Sequence, residues 1–112
     1  MGQFEILRRQ NGEFQFNLKA SNGEIILTSE GYMTKDSCKK GIESVRRNSA
    51  DKSKFDMLES KSGKAYFNLR AANGRVVGTS EMYESMGNRD NGIKAVQMTA
   101  PKAKIVDLTV KA

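Results

Sequence analysis

Four groups of residues in this chain of 112 have types and spacings that bear on chemistry. Glu30 and Tyr32 recur as Glu81 and Tyr83. A carboxylate near a phenol can do acid–base work if burial shifts the carboxylate. Each pair offers one carboxylate and no adjacent nucleophile, so the expectation is packing by Tyr and acceptance of turn N–H groups by Glu. Asn17 with Thr28, and Asn68 with Thr79, form cross-strand polar pairs whose amides and hydroxyls could read a polar ligand. Cys38 is the only cysteine. Lys35 and Lys39 lie near it, as a reactive thiolate requires, yet a lone cysteine on an apolar stripe is more often a small buried hydrophobe. Lys35, Lys39, Lys40, Arg46 and Arg47 form the fourth group, a candidate surface for polyanions.

The absences bound the chemistry further. With no histidine and one cysteine, the commonest general base, histidine zinc sites, thiolate clusters and internal disulfides are all removed. The expectation is no enzyme activity, no metal and no cofactor. The net charge is +6 and the pI about 9.6, a weak pointer to anionic partners. No run is long and apolar enough to span a membrane, and the first residues lack a signal-peptide pattern, so a soluble cytoplasmic protein is expected.

These residues recur because the chain is duplicated. Residues 17–32 read NLKASNGEIILTSEGY and residues 68–83 read NLRAANGRVVGTSEMY, a gapless offset of 51 with nine of sixteen positions identical. Phe4-Glu5-Ile6 likewise returns as Phe55-Asp56-Met57, and again as Val106-Asp107-Leu108. The chain therefore reads as repeat 1 (1–51), repeat 2 (52–103) and a closing strand (104–112).

Alternation at Phe14, Phe16, Leu18 and Ala20 marks a half-buried antiparallel strand. Asn22-Gly23 and Asn73-Gly74 signal tight hairpins, expected as two-residue type I′ loops. That register puts Leu18 opposite Leu27, Asn17 opposite Thr28 and Lys19 opposite Ile26. Thr34 and Ser85 are expected N-caps of helices over about 35–48 and 86–98. Cys38, Ile42 and Val45 recur at helical spacing, and Arg89 in the place of Cys38 puts that position near the edge of the core. Gly41 and Gly92 stand at equivalent helical positions where glycine costs about 1 kcal/mol, which predicts a close approach to the sheet. The fold class is α+β: two tandem β-β-β-α repeats plus a closing C-terminal strand, with antiparallel sheets and two helices in a pseudo-twofold arrangement.

The leading F-x-[IM], the run L-[KR]-A-x-N-G-x-[IV]-[IV]-x-T-S-E-x-Y and the helical Gly41-Ile42-Glu43-Ser44-Val45 resemble the small bacterial YegP-like proteins, which are tandem proteins of unknown function. The resemblance covers nearly the whole chain. It implies a fold of two repeated units and no assigned activity, cofactor or site. The expected function is a binding or assembly module that engages a protein partner or a small polar ligand through a sheet edge or polar sheet face. The alternative is weak, sequence-independent nucleic-acid binding through the basic side of the first helix. An internal pseudo-dimer favours a monomer.

Overall fold

The computed structural model describes residues 2–110. Met1 and the end of the expected closing segment, residues 111–112, lie outside the described residues. Repeat 1 comprises β1 (Gln3–Arg8), β2 (Phe14–Lys19), β3 (Ile25–Thr28) and α1 (Lys35–Asn48). Repeat 2 comprises β4 (Phe55–Glu59), β5 (Ala65–Arg70), β6 (Val76–Thr79) and α2 (Met86–Thr99), and β7 (Lys104–Asp107) closes the chain. All seven strands join one sheet in the order β4-β5-β6-β3-β2-β1-β7. Every pairing is antiparallel except that β7 lies parallel to β1.

The halves meet where β3 pairs with β6 through Thr28 and Thr79 alone. These residues occupy the same place in the two repeats, so the pseudo-twofold axis passes between them. Both helices lie on one face: α1 packs on β2 and crosses to β6 and β5, while α2 packs on β5 and crosses to β3. Each repeat thus closes the other's apolar surface, as a unit too thin to cover itself requires.

The helices begin as the sequence indicates. Thr34 and Ser85 sit in extended backbone, and their hydroxyls accept from the amides of Ser37 and Asn88 at 3.0 Å. The hairpins differ from expectation. No residue other than glycine has positive φ among the described residues, whereas a type I′ loop needs two such residues. The Ala20 carbonyl accepts from Gly23, and Ala20 N–H donates to the Glu24 carbonyl. This is a three-residue loop in which Gly23, at φ 86°, takes the left-handed position. The extra residue moves the register, so Lys19 pairs with Ile25 rather than Ile26, and Ile26 is buried in the core. Asn17–Thr28 and Leu18–Leu27 pair as expected.

Two aromatic ladders organise the core. Phe4 meets Phe16 edge-on at 5.8 Å and Phe16 stacks on Tyr32 at 6.3 Å. Phe55, Phe67 and Tyr83 repeat this at 5.5 and 6.4 Å. The Tyr32 hydroxyl lies directly over Gly41, and that of Tyr83 over Gly92, with no room for a Cβ. The close approach is therefore made by each repeat's own tyrosine. Gly41→Ala and Gly92→Ala are each expected to destabilise the protein by about 1–3 kcal/mol in urea unfolding, although alanine is the better helix former. Adding Tyr32→Phe to Gly41→Ala should recover part of that loss, because it deletes the nearest atom. Wild-type stability in both alanine variants would refute the tyrosine–glycine contact.

Candidate functional site

The helix-free face of the sheet carries a polar row that crosses the pseudo-twofold axis. Register links Glu5 to Asn17, Asn17 to Thr28, Thr28 to Thr79, Thr79 to Asn68 and Asn68 to Asp56. The expected pairs Asn17/Thr28 and Asn68/Thr79 are thus joined into one line of acid, amide and hydroxyl, mirrored about the axis. The residues neighbouring this row in the strands, Phe16 and Phe67, point the other way, under the helices. Most of the row is internally satisfied. Thr79 Oγ1 donates to Asn68 Oδ1 at 2.8 Å, and Gln15 donates to Asn17 at 3.1 Å. Glu5 binds Lys19 at 3.1 Å, and Arg70 binds Asp56. The row holds the strands in register and leaves few groups free for a ligand.

Glu30 and Tyr32 do not form an acid–base pair. Glu30 is largely exposed and lies 4.0 Å from Arg75, while Tyr32 is anchored in the aromatic ladder. Burial, followed by the Glu30 charge, pushes the Tyr32 phenol above its ordinary pKa, and burial with Glu81 does the same for Tyr83. The expected role of Glu as acceptor of turn N–H groups is not what the junction displays; its side-chain bonds are made by the preceding serines. The Ser29 hydroxyl accepts from the Phe16 amide and donates to the Glu30 carbonyl, at 2.9 and 2.8 Å, and Ser80 repeats both bonds. Both serines sit inside the duplicated T-S-E motif, which was the available signal for their role.

Cys38 is fully buried, which corrects the expected place near the core edge. Burial, with a smaller contribution from Asp107, raises its thiol to about 11. Arg89, its counterpart in α2, is also largely buried, with its guanidinium 3.3 Å from Asp90.

The five basic residues of α1 separate into two rows. Lys35, Lys39 and Arg46 share one side, whereas Lys40 and Arg47 lie roughly 100° round the helix. Lys35 binds Asp107 at 2.8 Å. Arg46 stacks over the Phe4 ring at 5.5 Å and donates to the Ala103 carbonyl at 2.6 Å. These two cations hold β7 against β1. Lys39, Lys40 and Arg47 are exposed. Among the described residues, no group of three or more His, Cys, Asp or Glu could hold a metal, and no helix is long and apolar enough to cross a membrane.

The two ends of the sheet are unequal. On one side, Leu108 N–H donates to the Ile6 carbonyl and β7 covers β1. On the other, β4 is the terminal strand. Phe67 exchanges its backbone bonds with the Ser80 amide and hydroxyl, so it faces β6. Its partner Met57 must therefore turn its own N–H and C=O outward, away from β5. Side-chain exposure records the same vacancy: Ile6 is 0% exposed and its counterpart Met57 is 50% exposed. Met86, in the place of Lys35, is 68% exposed.

A family model described as "Domain of unknown function (DUF1508)" matches twice, at residues 10–56 and 60–107. The chain belongs to this family. Each matched unit ends on the strand that follows its helix. A UPF0339 protein of Stutzerimonas stutzeri is 48% identical over 107 residues, covering 96% of both chains. The UPF0339 protein YegP of Escherichia coli is 43% identical over 96% of this chain and 98% of its own. The solution structure of a UPF0339 protein from Shewanella oneidensis superposes with a TM-score of 0.90 at 47% identity, over 96% of this chain and 91% of that one. The E. coli YegP solution structure gives 0.91 at 42%, over 96% and 92%. The YegP-like resemblance and the tandem α+β fold hold.

The Lys35 ammonium, then Thr109, hold the Asp107 carboxyl down at about 2. A carboxyl depressed in the folded state stabilises above its unfolded pKa near 4 and loses that contribution as pH falls toward about 2. The protection of the Leu108 amide, relative to its intrinsic exchange rate at each pH, should therefore fall between about pH 4 and pH 2, and Asp107→Asn should lower that protection already at neutral pH. Leu108 protection that does not change with pH would contradict the Lys35–Asp107 clamp. Native Cys38 should also resist a thiol reagent near pH 8 and react fully in denaturant; fast labelling of the native protein would count against its burial.

Proposed function

We propose that the protein is a non-enzymatic binding module that accepts an extended segment of a partner protein as an eighth strand along β4. The supporting observation is the difference between equivalent edges: Ile6 is covered by β7, while Met57 is exposed with its backbone groups turned outward. Strand addition uses these main-chain groups for affinity and neighbouring side chains for selection. The covered edge supplies the pattern, a parallel segment whose backbone pairs residue by residue.

Selection differs between the edges. Lys35 meets an acid on β7, but α2 carries Met86 at that position. Met57 and Met86 together favour an apolar side chain there, and methionine adapts to several shapes. Phe55 N–H is already bound to the Lys52 carbonyl, so pairing begins at the Phe55 carbonyl and runs through Glu59. The nucleic-acid alternative has less support, because Lys35 and Arg46 are engaged in holding β7.

The test uses a synthetic peptide of residues 101–110 in which Asp107 is replaced by Leu. It is titrated into the labelled protein and followed by NMR. Shifts at Phe55–Glu59 and in the Met57 and Met86 methyls are expected, and Met57→Pro should abolish them while keeping the β4–β5 pairing. Shifts confined to other regions, or unchanged binding by Met57→Pro, would refute the proposal. Concentration-dependent β4 shifts without peptide would replace the partner segment by a second copy of the chain.

A further inference from the structure

A cleft lies between α1 and the β5–β6 hairpin, and the pseudo-twofold axis relates it to the surface between α2 and the β2–β3 hairpin. The two have diverged in charge at four positions. Lys40, Arg47 and Arg75 border the cleft between α1 and the β5–β6 hairpin. Their counterparts at the same offset are Asn91, Met98 and Glu24. Met33, which also lines the first cleft, is Glu84 in the second, so with the shared Glu30 and Glu81 included one cleft carries +2 and the other −3. Equivalent geometry is evident at the tyrosines: Glu30 and Arg75 both act on Tyr32, as Glu81 and Glu24 both act on Tyr83. Four differences of one sign are not explained by the sheet or the core. None of the three cations packs in either.

The basic cleft is open to solvent. It offers about 540 Å³ beside Ser37, Lys40 and Arg75, and continues into about 480 Å³ beside Arg47 and Asn73. Volumes of this size suit a small molecule. Arg75 presents a planar fork and reaches Glu30 only at 4.0 Å, a partner that an incoming anion can replace. Lys40 and Arg47 approach from the helix side, and Ser37 and Asn73 add neutral donors.

We propose that this cleft binds a small phosphorylated molecule carrying at least two negative charges, held by Arg75, Lys40 and Arg47. The site is separate from the β4 edge, so neither proposal depends on the other. Phosphate oxygens match both the Arg fork and the Lys point charge. Arg75 faces the Lys40–Arg47 row of α1 across the cleft, so an anion is held from two sides, which favours a free small molecule over a nucleic-acid backbone.

The probe is inorganic tripolyphosphate, added to the labelled full chain at about 150 mM salt, where diffuse surface attraction is largely screened. Amide shifts are expected at Lys40, Arg47, Asn73 and Arg75, and not at Asn91, Met98, Asn22 and Glu24. Arg75→Gln and Lys40→Gln should each weaken binding by about tenfold. Both side chains are exposed, so the melting temperature should stay unchanged and certify the fold. Absence of saturable binding would overturn the proposal. So would shifts centred on Lys39 and Arg8, or full affinity in both variants. A second arm uses a single-stranded oligonucleotide. Weaker, salt-sensitive binding that tripolyphosphate displaces supports the small-molecule site; tighter oligonucleotide binding that survives Arg75→Gln overturns it.

Discussion

The seven-stranded sheet depends on a seam one residue pair wide. Thr28 and Thr79 are the only residues that pair β3 with β6, and the pseudo-twofold axis runs between them. So short a ladder cannot hold two halves together by main-chain bonds. Apolar packing beneath it must supply the cohesion, and symmetry limits that packing. Leu27 reaches across to Gly78, where an added Cβ would lie 2.6 Å from the Leu27 Cγ. A leucine in both repeats would overlap at the axis. Loss of the side chain in one copy lets the other fill the space, and the aromatic ladders, helices and tyrosine–glycine contacts are arranged outward from this point.

Near-symmetry produces two equivalent edges and two related helix–hairpin surfaces, but among the described residues there is one closing strand. β7 fills the β1 edge, and the helix beside it has acquired Lys35 and Arg46 to hold it. Beside β4 the same helical position is Met86. The differences between repeats therefore fall where symmetry is broken, at the seam, the edges and the clefts. The shared residues, including Ser29/Ser80, Tyr32/Tyr83 and Gly41/Gly92, carry the framework. Divergence on a conserved framework identifies surfaces released from a purely structural task.

The local elements were largely legible in the sequence. Thr34, Ser85 and the helical spacing of Ile42 and Val45 located both helices to within a residue, because caps and apolar periodicity act over a few positions. Asn22-Gly23 announced a hairpin but not its length. Two-residue and three-residue loops share that dipeptide, and only the backbone angle of the residue before glycine separates them. The misplaced Ile26 followed from that single residue. Cys38 was placed at the core edge by comparison with Arg89, but Arg89 is itself largely buried with its guanidinium turned to Asp90, so an arginine there does not mark an edge. Strand order was not legible at all. That β7 lies parallel to β1, that the polar pairs merge into one row, and that β4 is left uncovered are non-local facts, set by which faces the helices cover.

Residue-specific amide hydrogen exchange on the dilute protein tests the inequality of the edges most directly. Ile6 and Met57 occupy the same place in the two repeats, and both turn their backbone groups away from the neighbouring antiparallel strand. The Ile6 amide should be strongly protected under β7, and the Met57 amide should exchange orders of magnitude faster, as an unpaired edge group does. Equal protection at the two positions would contradict the account, because it would mean that β4 is already covered.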